Sequence, residues 1–245
     1  MKGSNEKNCK NSLSTNGENS MTVLIKFSVS GMLRYLSHAE TLRVFQRACI
    51  RARIELQFSQ GFNPRPKLSL PLPRTVGLET QDDLLTLKIH TPEQGLFEVS
   101  DFFEMTKNSL AEQLPEGIKV VGIEELNSKK PIQPEQATYI IQLLTGFSVT
   151  DINNRIGEIL SSETLNVVRK NAQSRNVKTI NVRNFIKSIN LKNDMLNIDF
   201  LITNTGSIRL DEIMSLLEID QNKIKGPVRR TNIFWPQNNN QESLN

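Results

Sequence analysis

The chain is poor in the residues from which most enzyme sites and secreted scaffolds are built. It holds two cysteines, two histidines, two tyrosines and one tryptophan in 245 residues. Cys9 and Cys49 form neither a disulfide framework nor a metal-ligand spacing, and a reducing, cytoplasmic location follows as the default. No apolar run approaches the roughly 20 residues that a spanning helix requires, so no membrane segment is expected. No P-loop, Rossmann glycine fingerprint, Cys/His cluster or Ser-His-Asp order is present. These absences point to no metal and no cofactor, and they remove the commoner enzyme classes.

Basic residues are present, and they are unevenly spread. The formal net charge is only +4, with a pI near 9.1. From Gly31 to Arg74, however, eight Lys or Arg (Arg34, Arg43, Arg47, Arg51, Arg53, Arg65, Lys67, Arg74) face two acids, Glu40 and Glu55. From Glu79 to Glu135 twelve acids outnumber five bases, and from Leu165 to Arg230 twelve bases outnumber six acids. Two basic regions thus flank an acidic one, a pattern that can steer an anionic partner. The alternative is that the acidic segment folds back and neutralises the first patch.

Hydrophobic patterning divides the chain into two α+β halves between polar tails. Residues 1–20 and 236–245 lack apolar runs and are expected to be disordered, since they bury too little surface to offset ordering entropy. In a first domain, 21–127, Thr22–Ser30 reads as a strand and Ser37 opens a helix through a Ser-x-x-Glu capping box with Glu40. Leu42, Phe45, Cys49 and Ala52 give that helix one buried face. Strands are expected at Ile54–Ser59, Lys67–Leu72, Leu84–His90 and Ile118–Leu126, with a second helix over Phe97–Leu114. This is the β-α-β-β-α-β order of a ferredoxin-like unit, with helices on one face of an antiparallel sheet. A proline-bearing linker, 128–136, leads to a second domain, 137–235. There, strands at Ala137–Leu144, Leu165–Arg169, Thr179–Val182 and Met195–Ile202, with helices over Val149–Leu160 and from Ser207 or Leu210 to about Leu217, fit a second ferredoxin-like half. The duplication is one of pattern, without a residue-level repeat.

Two motifs and one histidine carry candidate chemistry. Arg43, Arg47 and Arg51 are spaced by four and line one helical face, where like charges cost roughly 0.2–0.5 kcal/mol per pair in an isolated helix. Phosphates would relieve that repulsion, because guanidinium forks suit phosphate oxygens; a solvated outer face is the plainer alternative. The loop Ser59-Gln60-Gly61-Phe62-Asn63-Pro64-Arg65-Pro66-Lys67 is stiffened by its two prolines and projects Arg65 and Lys67 to one side. Phe62 either stacks on a base or plugs the core. Arg34 joins Arg43, Arg47, Arg51, Arg65 and Lys67 as an expected phosphate contact, and Arg229 and Arg230 extend that surface. His38, beside Arg34 and Ser37, is the candidate for general acid–base catalysis on RNA, which would make the chain a metal-independent endoribonuclease. No second acid–base partner is evident for it.

The segment Gly31-Met-Leu-Arg-Tyr-Leu-Ser-His38, followed by Leu42-Arg43 and then by Ser59–Lys67, closely resembles the radical-SAM-linked bacterial domain of unknown function. The resemblance runs from about Val23 to Trp235. Members of that family are fused to, or encoded beside, a B12-binding radical SAM protein, often near genes of RNA metabolism. The resemblance therefore implies an accessory protein that binds tRNA or rRNA and works with a separately encoded radical SAM partner. The chain has no C-x-x-x-C-x-x-C motif, so it does not hold the radical SAM cluster itself. Ala39-Glu40-Thr41 replaces the family's common Leu-Asp-Leu, and Arg65 stands where His is frequent. The charge pattern alone also fits a protein-interaction module that docks an acidic partner. A more distant similarity of fold pattern links the chain to CRISPR repeat-processing endoribonucleases, and fold does not fix function.

Overall fold

The computed structural model describes residues 20–91, 98–128, 130–170 and 177–236. The expected tails, apart from Ser20 and Pro236, lie outside the described residues, as do Cys9 and Phe97. Over the described residues the protein is a mixed α+β structure with a mostly antiparallel sheet and four helices. No helix among the described residues is long and apolar enough to cross a membrane.

The first half builds strands β1 (Ser20–Val29), β2 (Leu68–Ser69), β3 (Glu79–His90) and β4 (Ile118–Glu125), with helices α1 (His38–Arg51) and α2 (Val99–Gln113). Val23, Ile25, Phe27 and Val29 alternate along β1 and are buried, as the period of two demands for one covered face. They meet Phe45, Ala48 and Cys49 of α1 and Leu110 of α2. The Phe27 and Phe45 rings pack edge to face at 4.7 Å. The capping box forms as expected: the Glu40 N–H donates to Ser37 Oγ at 3.3 Å and the Ser37 N–H to Glu40 Oε2 at 2.8 Å. Bonds from Ser37 hold the Glu40 carboxyl below its ordinary pKa of 4.5.

The second half contains β5 (Gln136–Gln142), α3 (Val149–Ser161), a ribbon of β6 (Asn166–Lys170) and β7 (Val177–Asn181), then β8 (Ile186–Lys192), β9 (Met195–Leu201), α4 (Leu210–Leu216) and β10 (Arg229–Phe234). Ile152, Ile156 and Ile159 line one face of α3 and pack on Ile141, Ile189 and Ile198 of the sheet. β8 and β10 were not expected from the sequence. A register shift breaks the alternation of each, after Ile186 in β8 and after Arg230 in β10.

The strands follow the same order in both halves. The first quartet runs β4-β1-β3-β2 and the second β10-β5-β9-β8. All pairings within each quartet are antiparallel. The β6–β7 ribbon stands outside the main sheet and is tied to α4 by Arg169, whose Nε and Nη2 donate to Glu212 at 2.6 and 2.8 Å. The two quartets join: β10 pairs with β3 in parallel through Arg229 with Glu79 and Arg230 with Thr80. The result is one eight-stranded sheet, spliced at two residue pairs.

Candidate nucleic-acid interface

The arginine ladder on α1 divides into two kinds of residue. Arg43 and Arg47 are exposed, and neither makes an ion pair or side-chain hydrogen bond among the described residues. Arg51 instead turns to the end of α2, where its Nη2 donates to the Gln113 carbonyl at 2.5 Å and its Nε to Gln113 Oε1 at 3.3 Å. That contact satisfies a free carbonyl of a helix C-terminus with a cation, the sign that terminus favours.

The Ser59–Lys67 loop is a projecting hairpin whose backbone is pinned on both sides. The Ser59 N–H donates to the Arg65 carbonyl at 2.8 Å, and the Lys67 N–H to the Gln57 carbonyl at 2.8 Å. The Arg65 N–H donates to Ser59 Oγ at 2.9 Å. Gly61 turns the tip with φ +128°, a conformation that side-chain-bearing residues rarely adopt. Phe62 at this tip is 100% exposed, so it plugs no core. The Arg65 guanidinium is exposed and has no partner among the described residues. Lys67 is half-buried, with its Nζ 3.5 Å from Gln57 Oε1.

The expected strands flanking this loop are reduced. Ile54–Ser59 supplies only isolated bridges, Leu56 to Ile89 and Phe58 to Pro66, and Lys67–Leu72 supplies only the two residues of β2. Pro64, Pro66, Pro71 and Pro73 lack the N–H groups that a ladder needs.

Three further arginines of the basic regions serve as internal braces. Arg34 donates to the Gly31 carbonyl at 2.9 Å and the Tyr35 hydroxyl at 3.0 Å, and lies 3.8 Å from Glu79 Oε1 and over the Tyr35 ring at 4.5 Å. Arg74 is 8% exposed and donates only to neutral oxygens: the carbonyls of Arg34, Leu78 and Leu36 and the Thr41 hydroxyl, at 2.7–3.3 Å. Burial pushes its pKa below the ordinary arginine value.

Arg230, expected on the binding surface, is 1% exposed, which is a correction to its placement. Its Nη2 donates to Asp83 Oδ1 at 2.6 Å, and its Nη1 reaches the Pro73 carbonyl at 3.4 Å and the Tyr139 hydroxyl at 3.5 Å. Burial alone would lower the Arg230 pKa, but the Asp83 carboxylate and Tyr139 outweigh it and raise the value. A guanidinium enclosed in this way is out of reach of a phosphate. Arg229, beside it, is half-buried at the splice of the two quartets.

The acidic middle segment therefore neutralises part of the basic set. Glu79 faces Arg34, Asp83 faces Arg230, and Asp82 lies 2.5 Å from Lys26. None of these carboxylates pairs with Arg43, Arg47 or Arg65. His38 sits exposed at the first position of α1, with no side-chain hydrogen bond among the described residues. A cleft of 1040 Å³, lined by Pro71, Pro73, Pro131, Pro134 and Pro236 among others, has Lys130 and Glu135 as its charged lining residues. It offers no acid–base constellation. The sequence reading missed Lys88, which is exposed on β3 beside Lys67: the Lys88 N–H donates to the Lys67 carbonyl at 3.0 Å.

These features define an α+β protein with an exposed basic helix face and a stiff basic hairpin. Residues 22–212 match the family described as an uncharacterized protein conserved in bacteria (DUF2344), and the chain belongs to that family. That description carries no radical SAM linkage, and the matched region ends within α4, short of Trp235. No curated protein sequence matches the chain. A solved structure described as "Crystal Structure of a Cbf5-Nop10-Gar1 Complex" is similar at a TM-score of 0.42 and 9% identity, over 86% of this chain and 48% of that one. This chain spans about half of that protein's length, and a likeness of that size does not define a shared fold.

Proposed function

We propose that this protein binds RNA, tRNA or rRNA, through the exposed face of α1 and the Ser59–Lys67 hairpin, as a cytoplasmic accessory to a separately encoded radical SAM partner. The observation that carries the RNA reading is the state of Arg43, Arg47 and Arg65. All three are exposed and make no ion pair among the described residues, while Asp82, Glu79 and Asp83 are committed to Lys26, Arg34 and Arg230 and Glu40 is bonded to Ser37. Unneutralised guanidinium groups on a folded surface are suited to phosphate. The partner reading rests on the resemblance of the Gly31–His38 and Ser59–Lys67 motifs. We read each quartet as ferredoxin-like, on the shared order in which the last strand lies beside the first and the third separates first from second.

Binding of bulk tRNA, measured across a salt series, tests the RNA reading. Each phosphate contact contributes about −0.7 to −0.9 to the log–log slope. The triple variant Arg43→Gln, Arg47→Gln, Arg65→Gln is expected to flatten that slope by about 2 to 3. Affinity indifferent to salt and to the triple variant sinks the proposal. A complex with an acidic protein that survives nuclease treatment, without affinity for RNA, replaces it with a protein-docking role.

A further inference from the structure

We infer that the projecting hairpin receives an unpaired segment of RNA, with Phe62 stacking on a base and Arg65, Lys67 and Lys88 holding the adjoining phosphates. This inference rests on the RNA reading above and names the element recognised.

The first observation is aromatic. Phe62 has its whole side chain in water, and Phe58, on the same hairpin, is 43% exposed. A lone exposed apolar residue needs no explanation. Here the ring stands at the tip of a hairpin whose arms are held by Pro64, Pro66 and backbone bonds at both Ser59 and Lys67. A tip held in this way loses little conformational entropy on binding, so the ring is presented preorganised.

The second observation is the charge beside it. Lys67 and Lys88 are neighbours across the β2–β3 edge: the Lys88 carbonyl accepts from the Gln57 N–H at 2.8 Å, and Gln57 in turn accepts from Lys67. Like charges side by side across a strand pair oppose each other. Neither lysine has a carboxylate partner among the described residues, and Glu55, the acid of this segment, makes no ion pair among them. By the alternation of extended backbone, Arg65 points to the same side as Lys67. The hairpin thus carries an aromatic tip and, along its arm and the paired β3, three cations with no ion-paired acid among the described residues.

That combination selects unpaired RNA. In a duplex the base faces are covered by their neighbours, and the deep A-form major groove excludes side chains. Only unstacked bases offer a π-face to an aromatic tip, and stacking on such a tip tolerates any base. A lipid surface would require more apolar area than the Phe62 ring and the half-exposed Phe58, set beside Asn63 and the basic residues of the arm, provide.

Fluorescence anisotropy with a labelled oligouridylate of about 12 nucleotides, within the site sizes of single-strand binders, and a duplex of equal length tests this. Wild type is expected to prefer the single strand. Phe62→Ala is expected to weaken single-strand binding about 5- to 150-fold while leaving duplex binding and the thermal melt unchanged. Lys67→Gln with Lys88→Gln is expected to flatten the salt slope by about 1.4. Equal single-strand affinity for wild type and Phe62→Ala, or a preference for the duplex, overturns this inference and leaves the RNA reading standing. Failure to bind any RNA overturns both. Binding to anionic vesicles that is lost in Phe62→Ala, without RNA binding, places the tip at a lipid surface and overturns it as well.

Discussion

Among the described residues Arg43, Arg47 and Arg65 stand exposed without a partner, whereas Arg74 and Arg230 are enclosed and bonded to the protein's own oxygens. In the sequence the five are alike: each belongs to a basic stretch. In the fold they do opposite work. The first set leaves its charge available to a ligand. The second spends its donors on the protein's own oxygens, Arg74 on loop carbonyls and Arg230 on Asp83 across the two halves. A count of basic residues therefore overstates the binding surface.

The comparison breaks most visibly at Arg230. Arg230→Ala leaves the buried Asp83 carboxylate without its paired cation and, among the described residues, with only the Thr80 hydroxyl as donor, and it is expected to cost about 3–5 kcal/mol, read as a lowered midpoint of urea unfolding. Arg230→Met combined with Asp83→Leu should recover most of that loss, since replacing a whole buried pair is often neutral. Wild-type stability in Arg230→Ala would place this arginine with the free set.

A partly enclosed pair gives an intermediate effect. Burial raises the Glu212 pKa, but Arg169 and the Arg209 N–H lower it further, and the carboxyl ends below 4.5. A depressed carboxyl contributes stability that is full above its unfolded pKa and lost as pH falls through the folded value. Glu212→Gln should therefore cost about 1–3 kcal/mol at neutral pH and less under acid. Melting curves at neutral pH and at about pH 3 check this; a cost that grows on acidification refutes it.

The smallest effect belongs to the exposed set. Arg43→Gln with Arg47→Gln should shift stability by no more than about 0.5 kcal/mol, with a slight gain where like-charge repulsion is relieved. Denaturation of the double variant alongside wild type measures it. A loss comparable to that at Arg230 would show that these side chains brace the fold.

Local signals were legible, and remote ones were not. The Ser37–Glu40 box, Phe45 and Cys49 of the buried face of α1, and α3, β6 and β7 to within two residues depend on residues a few positions apart, and the sequence displayed them. β10 was hidden because it opens with two arginines, and what makes Arg230 tolerable in a strand is Asp83, 147 positions away. Lys88 was hidden for a similar reason: only the pairing of β2 with β3 brings it beside Lys67. Phe62 was ambiguous because aromatic character is shared by core plugs and stacking platforms, and only the pinned hairpin separates them. Arg43 and Arg47 were readable as one helix face; the diversion of Arg51 to Gln113 depends on where α2 ends.

The splice at β10 also sets a timetable. Every strand of the first quartet lies between Ser20 and Glu125, so its sheet can close while later residues are still being synthesised. The second quartet closes later, because β5, paired with β9 on one side, lacks its other neighbour until Arg229–Phe234 leaves the ribosome. Through that interval β5 presents an open edge, a template for mispairing with any extended chain. The strand that fastens the halves together therefore also ends the protein's most vulnerable period.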